Sequence, residues 1–176
     1  MKILSVLSAL IERLHPRKSL LEQATLNGVK MGENNFIYSA FWEGAEPYLI
    51  EIGNNCQITK GVNIYTHGGA HAARYLYPKF DCFGKVKIGD WVYIGNNVLI
   101  MPGVTIGSHV LIAAGSVVTK SFPDYVVVGG NPAKCICTLE EYIKKNLPYN
   151  LNIKGMTPSE KEKYLLNLAD DRFIKK

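Results

Sequence analysis

The chain of 176 residues is poor in several things, and each shortage excludes a class of protein. It has four cysteines (Cys56, Cys82, Cys135 and Cys137), and none forms a C-x-x-C pair. That usage suits free thiols in a reducing compartment and argues against a disulfide scaffold. No apolar run reaches the roughly 18 residues that a membrane-spanning helix needs. No dense Lys/Arg run interleaved with aromatics marks a nucleic-acid surface, and a formal charge of +5 is mild. These readings together predict a cytoplasmic protein with no nucleic-acid partner and no integral membrane span.

The N-terminus carries Met1, Ile3, Leu4, Val6, Leu7, Leu10, Ile11 and Leu14 at roughly helical spacing. A signal peptide places its charge before the apolar part and adds a small-residue cleavage site. Here only Lys2 precedes the apolar positions and no such site is clear, so residues 2–14 read as an amphipathic helix packing on the body or on a neighbouring subunit.

Internal periodicity dominates what is present. Every sixth residue from Ile88 is aliphatic and β-branched: Ile88, Ile94, Ile100, Ile106, Ile112 and Val118. Leu, Ile and Val make up roughly a quarter of the chain, so six such hits in a preset frame arise by chance about once in four thousand trials. Four positions after each of the first five stand Val92, Val98, Val104, Val110 and Ser116, and Gly or Ala follows the leading aliphatic at Gly89, Gly95, Gly107 and Ala113. The frame continues upstream at Ile52, Ile58 and Ile64, and weakly at Met31 and Ile37, with residues 43–51 interrupting it.

A period of six matches neither a helix nor a simple strand. It fits a short extended segment followed by a tight turn, with the aliphatic pointing inward and the small residue easing the turn. Three such segments close a triangular coil of 18 residues, and coils stack at about 4.8 Å with parallel ladders. The expected fold is therefore all-β, a parallel β-helix. Residues 1–28 would form an N-terminal helix and linker, 29–137 the β-helix with a protruding loop at 68–81, and 138–176 a helical tail. Thr138-Leu-Glu-Glu141 is a capping-box pattern that opens a helix to Asn146. Thr157-Pro-Ser-Glu160 opens another, to about Ala169. These helices are expected to shield the open edge at the end of the coil stack.

The segment from Ile88 to Gly107 (IGDWVYIGNNVLIMPGVTIG) resembles the hexapeptide-repeat acyltransferases, as do Ala114-Gly-Ser-Val-Val-Thr-Lys120 and Val128-Gly-Gly-Asn-Pro-Ala-Lys134. Together they are similar to the maltose, galactoside and polysaccharide O-acetyltransferase branch. The match covers about residues 50–137. It implies a left-handed coil, a homotrimer with active sites between subunits, and acetyl-CoA as donor. Handedness rests on the resemblance alone, because parallel crossovers are right-handed in nearly all proteins.

The frame breaks after Ile64-Tyr65-Thr66-His67, and Gly68-Gly69 opens the loop. Loops on a rigid scaffold carry function. An alcohol attacking a thioester needs a base for its proton, and His has the pKa range to serve. The resemblance assigns that role to His67. It places an oxyanion donor in the Gly95-Asn96 turn. It lays the cofactor arm along Ala113 and Ala114, with Thr119, Lys120 and Lys134 near the cofactor. His71, Tyr75 and Tyr93 are the candidate acceptor contacts, Tyr93 standing where many relatives have Trp. His109, on a repeat turn with no loop beside it, reads as structural.

The expected activity is acetyl transfer to a hydroxyl of a sugar or polysaccharide precursor. N-acetylation of an amino sugar, a zinc-dependent carbonic anhydrase and a non-catalytic β-helix are the alternatives. The donor is acetyl-CoA, no metal is expected, and a small-molecule or glycan acceptor is the other partner. His67, His71 and His109 are the only imidazoles in the body that a zinc ion could recruit.

Overall fold

The structure is a computed structural model that describes residues 18–175. The helix expected over residues 2–14 lies outside the described residues. The first described element is a short helix α1 (Leu20–Leu26), capped by Ser19 in a reciprocal box with Glu22.

Thirteen short strands follow among the described residues, and the six-residue period dictates where all but the last two of them fall. Each is a few residues long and ends in a turn. The strands are β1 (Lys30–Met31), β2 (Phe36–Ile37), β3 (Ile50–Ile52), β4 (Gln57–Ile58), β5 (Asn63–Ile64), β6 (Val86–Ile88), β7 (Tyr93–Ile94), β8 (Leu99–Ile100), β9 (Thr105–Ile106), β10 (Leu111–Ile112), β11 (Val117–Val118), β12 (Val126–Gly129) and β13 (Lys134–Thr138). They sort into three sheets, in the orders β1-β3-β6-β9, β13-β12-β10-β7-β4-β2 and β11-β8-β5. From β3 to β11 every third strand joins the same sheet, and all pairings but that of β12 with β13 are parallel. This is a parallel β-helix with three walls, designated A, B and C in the order just given.

The core is the predicted pair of columns. Ile58, Ile64, Ile94, Ile100, Ile112, Val98 and Val118 are fully buried, and Val62, Val92, Val104, Val110 and Ile106 nearly so. Burying one such side chain stabilises by about 1.5–3 kcal/mol, so the columns supply the main cohesive term. Ser116 breaks the Val column yet is fully buried; its hydroxyl donates to Ala113 O and accepts from Gly130 N–H.

Two interruptions alter the spacing. Regular coils pair residues 18 apart, as in Ile88 with Ile106. Phe36 pairs with Gln57, 21 positions on, so the coil between them carries a short insertion around residues 43–49. Ile52 pairs with Ile88, 36 positions on, because the chain between β5 and β6 leaves the wall, forms a short helix α2 (Ala70–Ala73), and returns. Both departures leave and rejoin the coil near the junction of walls C and A.

The end of the stack differs from expectation. β13 turns back antiparallel on β12 and closes the outer edge of wall B. A strand therefore does the shielding that the sequence assigned to helices; the helix α3 (Leu139–Asn146) follows it and packs against both strands. The Thr138–Glu141 box is complete, and α3 ends at the expected residue. The Thr157–Glu160 box is also complete, but its helix α4 stops at Leu166, about three residues short of the expected end. No helix among the described residues is long and apolar enough to cross a membrane.

Candidate active site

His67 follows β5 at the junction of walls C and A, where the chain leaves the coil. Its backbone bridges to Phe83 on the returning strand, and Gly84 N–H donates to Thr66 O at 2.7 Å, so the two ends of the excursion are tied together. The base of the excursion is clamped a second time. Arg74 lies 3.6 Å from Asp81, and its Nε–H donates to Phe80 O at 3.2 Å.

The insertion at 43–49 delivers a residue that the sequence did not single out. Glu46 Oε2 lies 3.0 Å from His67 Nδ1. The same oxygen accepts a short hydrogen bond from the Thr66 hydroxyl, and Glu46 N–H donates to Thr66 Oγ1 at 2.7 Å. Thr66 is fully buried, so this anchor is rigid. The Thr66 hydroxyl, and after it the His67 ring, hold the Glu46 carboxyl below its usual range, and it is ionised at neutral pH. An ionised carboxylate can only accept, so Nδ1 carries the proton and Nε2 presents a lone pair. The His67 side chain is 43% exposed, open enough to meet a substrate, while Glu46 at 22% is more shielded.

Around this pair lies a cleft of about 450 Å³, lined by Gly44, Glu46, Tyr65, His67 to His71, Arg74, Asp81 and Phe83. His71, on α2, is therefore in the same cleft as His67. Phe83 packs edge-on to the His67 ring, with centroids 5.9 Å apart.

The other candidates lie elsewhere on the protomer. Tyr75 is 89% exposed at the tip of the excursion, outside the cleft lining. Tyr93 sits mid-wall on β7 between Gln57 and Leu111, not on a turn. Gly95-Asn96 and Ala113-Ala114 follow β7 and β10 at the junction of walls B and C. Their backbone bonding separates them. Gly95 N–H donates to Ile112 O and Ala113 N–H to Val128 O, whereas the Asn96 and Ala114 amides have no partner among the described residues. Thr119 and Lys120 share the junction of walls C and A with His67 but stand two coils further along the stack. Lys120 Nζ lies 5.7 Å from the Phe122 ring centroid. Lys134 is on β13, opposite Gly129. His109 is held as its turn position suggested, stacked between Trp91 and Tyr125.

A family model described as bacterial transferase hexapeptide (six repeats) matches residues 85–120. The chain is 51% identical over 125 residues to Protein CapG of Staphylococcus aureus, covering 70% of this chain and 73% of that one. It is 32% identical to a chloramphenicol acetyltransferase of Klebsiella aerogenes, covering 68% and 71%. The chain belongs to the hexapeptide-repeat acetyltransferase family. Among solved structures, this hexapeptide-repeat acetyltransferase resembles a maltose O-acetyltransferase from Clostridium difficile 630, at 35% identity and a TM-score of 0.51 over 63% of this chain and 59% of that one. It spans about half the length of several other curated acetyltransferases.

Proposed function

We propose that this acetyltransferase moves an acetyl group from acetyl-CoA to a hydroxyl of a sugar or polysaccharide precursor, with His67 as general base. The observation that carries the reading is the Thr66–Glu46–His67 chain of hydrogen bonds at the wall of an open cleft. Glu46 fixes the ring orientation and tautomer, so Nε2 is free to take the acceptor's proton as its oxygen attacks the thioester carbonyl. The positive charge that develops on the ring is stabilised by the Glu46 carboxylate. The same Nε2–H then returns its proton to the departing thiolate. His71 and Arg74, in the same cleft, supply polar contacts for the acceptor.

The oxyanion needs a donor that is not already engaged. Of the turn amides named by the resemblance, Asn96 N–H meets that condition and Gly95 N–H does not. Ala113, Ala114, Thr119, Lys120 and Lys134 are proposed to hold the coenzyme arm and its phosphates. Ala114 and Gly115 are exposed at their corner, and a Cβ at Gly115 would meet nothing within 4 Å, which leaves room for such an arm. In one protomer Asn96, Ala113 and Ala114 occupy a different corner from His67, and Thr119 and Lys120 stand two coils away from it. This supports active sites completed between the subunits of a homotrimer, with Tyr75 and Tyr93 facing an acceptor held by a neighbour. The left-handed winding, the cytoplasmic location and the division at residues 28 and 137 belong to the same reading.

A thiol-release assay with acetyl-CoA and a panel of free sugars, sugar phosphates and nucleotide sugars tests it. His67→Ala should lower kcat by about 10²–10⁴-fold while circular dichroism and oligomer size stay those of the wild type, because His67 is outside the buried columns. Turnover near the wild-type rate in that variant would remove His67 as the base.

A further inference from the structure

A second groove, of about 200 Å³, adjoins the cleft on wall A and is lined by Lys30, Tyr48, Leu49, Ile50, Glu51, Lys85 and Lys87. Two chain segments carry one site into the other. Glu46 belongs to the cleft and Tyr48 to the groove; Phe83 belongs to the cleft and Lys85 to the groove. On the outward face of wall A, Lys30, Glu51 and Lys87 stand in line across β1, β3 and β6. Lys85 precedes Lys87 by two positions and shares its exposed face. Among the described residues no carboxylate lies within ion-pair distance of Lys30, Lys85 or Lys87. Three ammonium groups and one carboxylate leave the groove net positive.

We propose that the groove binds the phosphate of a phosphorylated sugar acceptor whose hydroxyl meets His67. The inference rests on the reading of the cleft as the acceptor site and adds the acceptor's class. Lysine ammonium groups bind phosphate as point charges, and three of them against one carboxylate are placed to do so. An extended chain advances about 3.3 Å per residue, so Lys85 and Lys87 lie roughly 7–13 Å along the strand from Phe83 at the cleft. That distance separates a reacting hydroxyl from a phosphate on the same or the next sugar. The residues assigned to the coenzyme are on the B–C junction, higher on the C–A junction and on β13, so the wall-A lysines are not needed for its phosphates. The phosphate can belong to a nucleotide sugar or to a simple sugar phosphate, and the groove's chemistry is common to both.

The test compares N-acetylglucosamine, N-acetylglucosamine 1-phosphate and UDP-N-acetylglucosamine as acceptors, in wild type and in a Lys85→Gln/Lys87→Gln double variant. The wild type should prefer at least one phosphorylated form over the neutral sugar by tenfold or more in kcat/KM. The double variant should cut that preference about tenfold, through the acceptor KM and not through the acetyl-CoA KM. UDP-N-acetylglucosamine alone being preferred marks a nucleotide sugar; equal preference for both marks the phosphate itself. Calorimetry on His67→Ala, with and without the two Lys substitutions, reads the groove without turnover. Saturable binding of a phosphorylated sugar, weakened tenfold by the substitutions, sustains the inference even if no sugar in the panel is acetylated, an outcome that would sink only the acceptor reading. No preference for phosphate, no saturable binding at millimolar ligand, a change confined to the acetyl-CoA KM, or an altered oligomer size in the double variant would each overturn it, the last by assigning the lysines to a subunit contact.

Discussion

Glu46 shows how much one side chain can depend on what surrounds it. Its carboxyl accepts from the Thr66 hydroxyl and from His67, and both interactions favour the ionised form. Its folded pKa therefore lies below its unfolded one. The stability this linkage contributes is fully present above the unfolded value, about 4.3, and is lost as the pH falls through the lower folded value. In Glu46→Gln the carboxylate is gone at every pH. The Tm difference between wild type and Glu46→Gln should shrink as the pH drops below about 4. Thermal melts from about pH 3 to pH 5 measure this, and a difference that widens as the pH falls from about 4 to 3 would contradict the assigned bonds. Activity should fall with the substitution too, since a neutral amide stabilises the charged ring less and can turn its N–H₂ toward Nδ1.

This residue was not legible in the sequence, and the reason is physical. His67 was legible because it stands where the six-residue frame breaks at Gly68-Gly69 and because the family resemblance gives that position the base. Glu46 sits inside an irregular stretch whose only visible property was that it disturbed the six-residue frame. The disturbance itself was the usable signal: a short insertion in a rigid coil has to bulge, and here it bulges toward the other interruption.

At the scale of the coil, the periodic columns were fully readable because burial acts on every sixth residue alike. Ile88, Ile94, Ile100, Ile106 and Ile112 are all at most 3% exposed. The excursion between β5 and β6 was read as a loop because Gly68-Gly69 breaks the frame, even though Ile64 and Ile88 are 24 apart, a multiple of six. The pairing of Ile52 with Ile88 shows that no coil lies between them. β13 escaped notice, since the repeat ends before it and an antiparallel return has no six-residue signature. The caps at Thr138 and Thr157 were legible because a capping box is local. The glycines that follow the aliphatics were read as turn-easing, and the stacking adds a second demand. A Cβ on Gly89 would lie 2.6 Å from Ser108 Oγ and 2.7 Å from Ser108 N on the next coil. The backbone nitrogen cannot step aside without opening the ladder. Gly89→Ala should therefore cost about 1–3 kcal/mol or more by overpacking. Gly68→Ala, where nothing lies within 4 Å of the added carbon, should be near neutral. Denaturant unfolding of both variants compares them directly, and equal stability would mean that the coils can separate to admit a methyl group.

For the molecule as a whole, scaffold and chemistry are separable in the chain. The buried columns run past the excursion without a gap, because β3, β4 and β5 pair directly with β6, β7 and β8. Apart from Thr66 and Ala70, little of residues 66–83 is buried. Their removal joins Tyr65 to Gly84 and sets Ile64 and Ile88 six positions apart, the spacing of an unbroken coil. Gly84, whose added Cβ would meet Gly103 N at 2.3 Å, keeps its place in the corner stack. The shortened chain should fold, with a parallel-β circular dichroism spectrum and a Tm within several degrees of wild type, since no column residue is lost and a long loop closure is removed. It should have no acetyl-transfer activity, because His67 and the cleft leave with the excursion. If the shortened chain instead fails to melt cooperatively, the ties across the excursion's base are supporting the coil, and the site would be part of what holds the prism together.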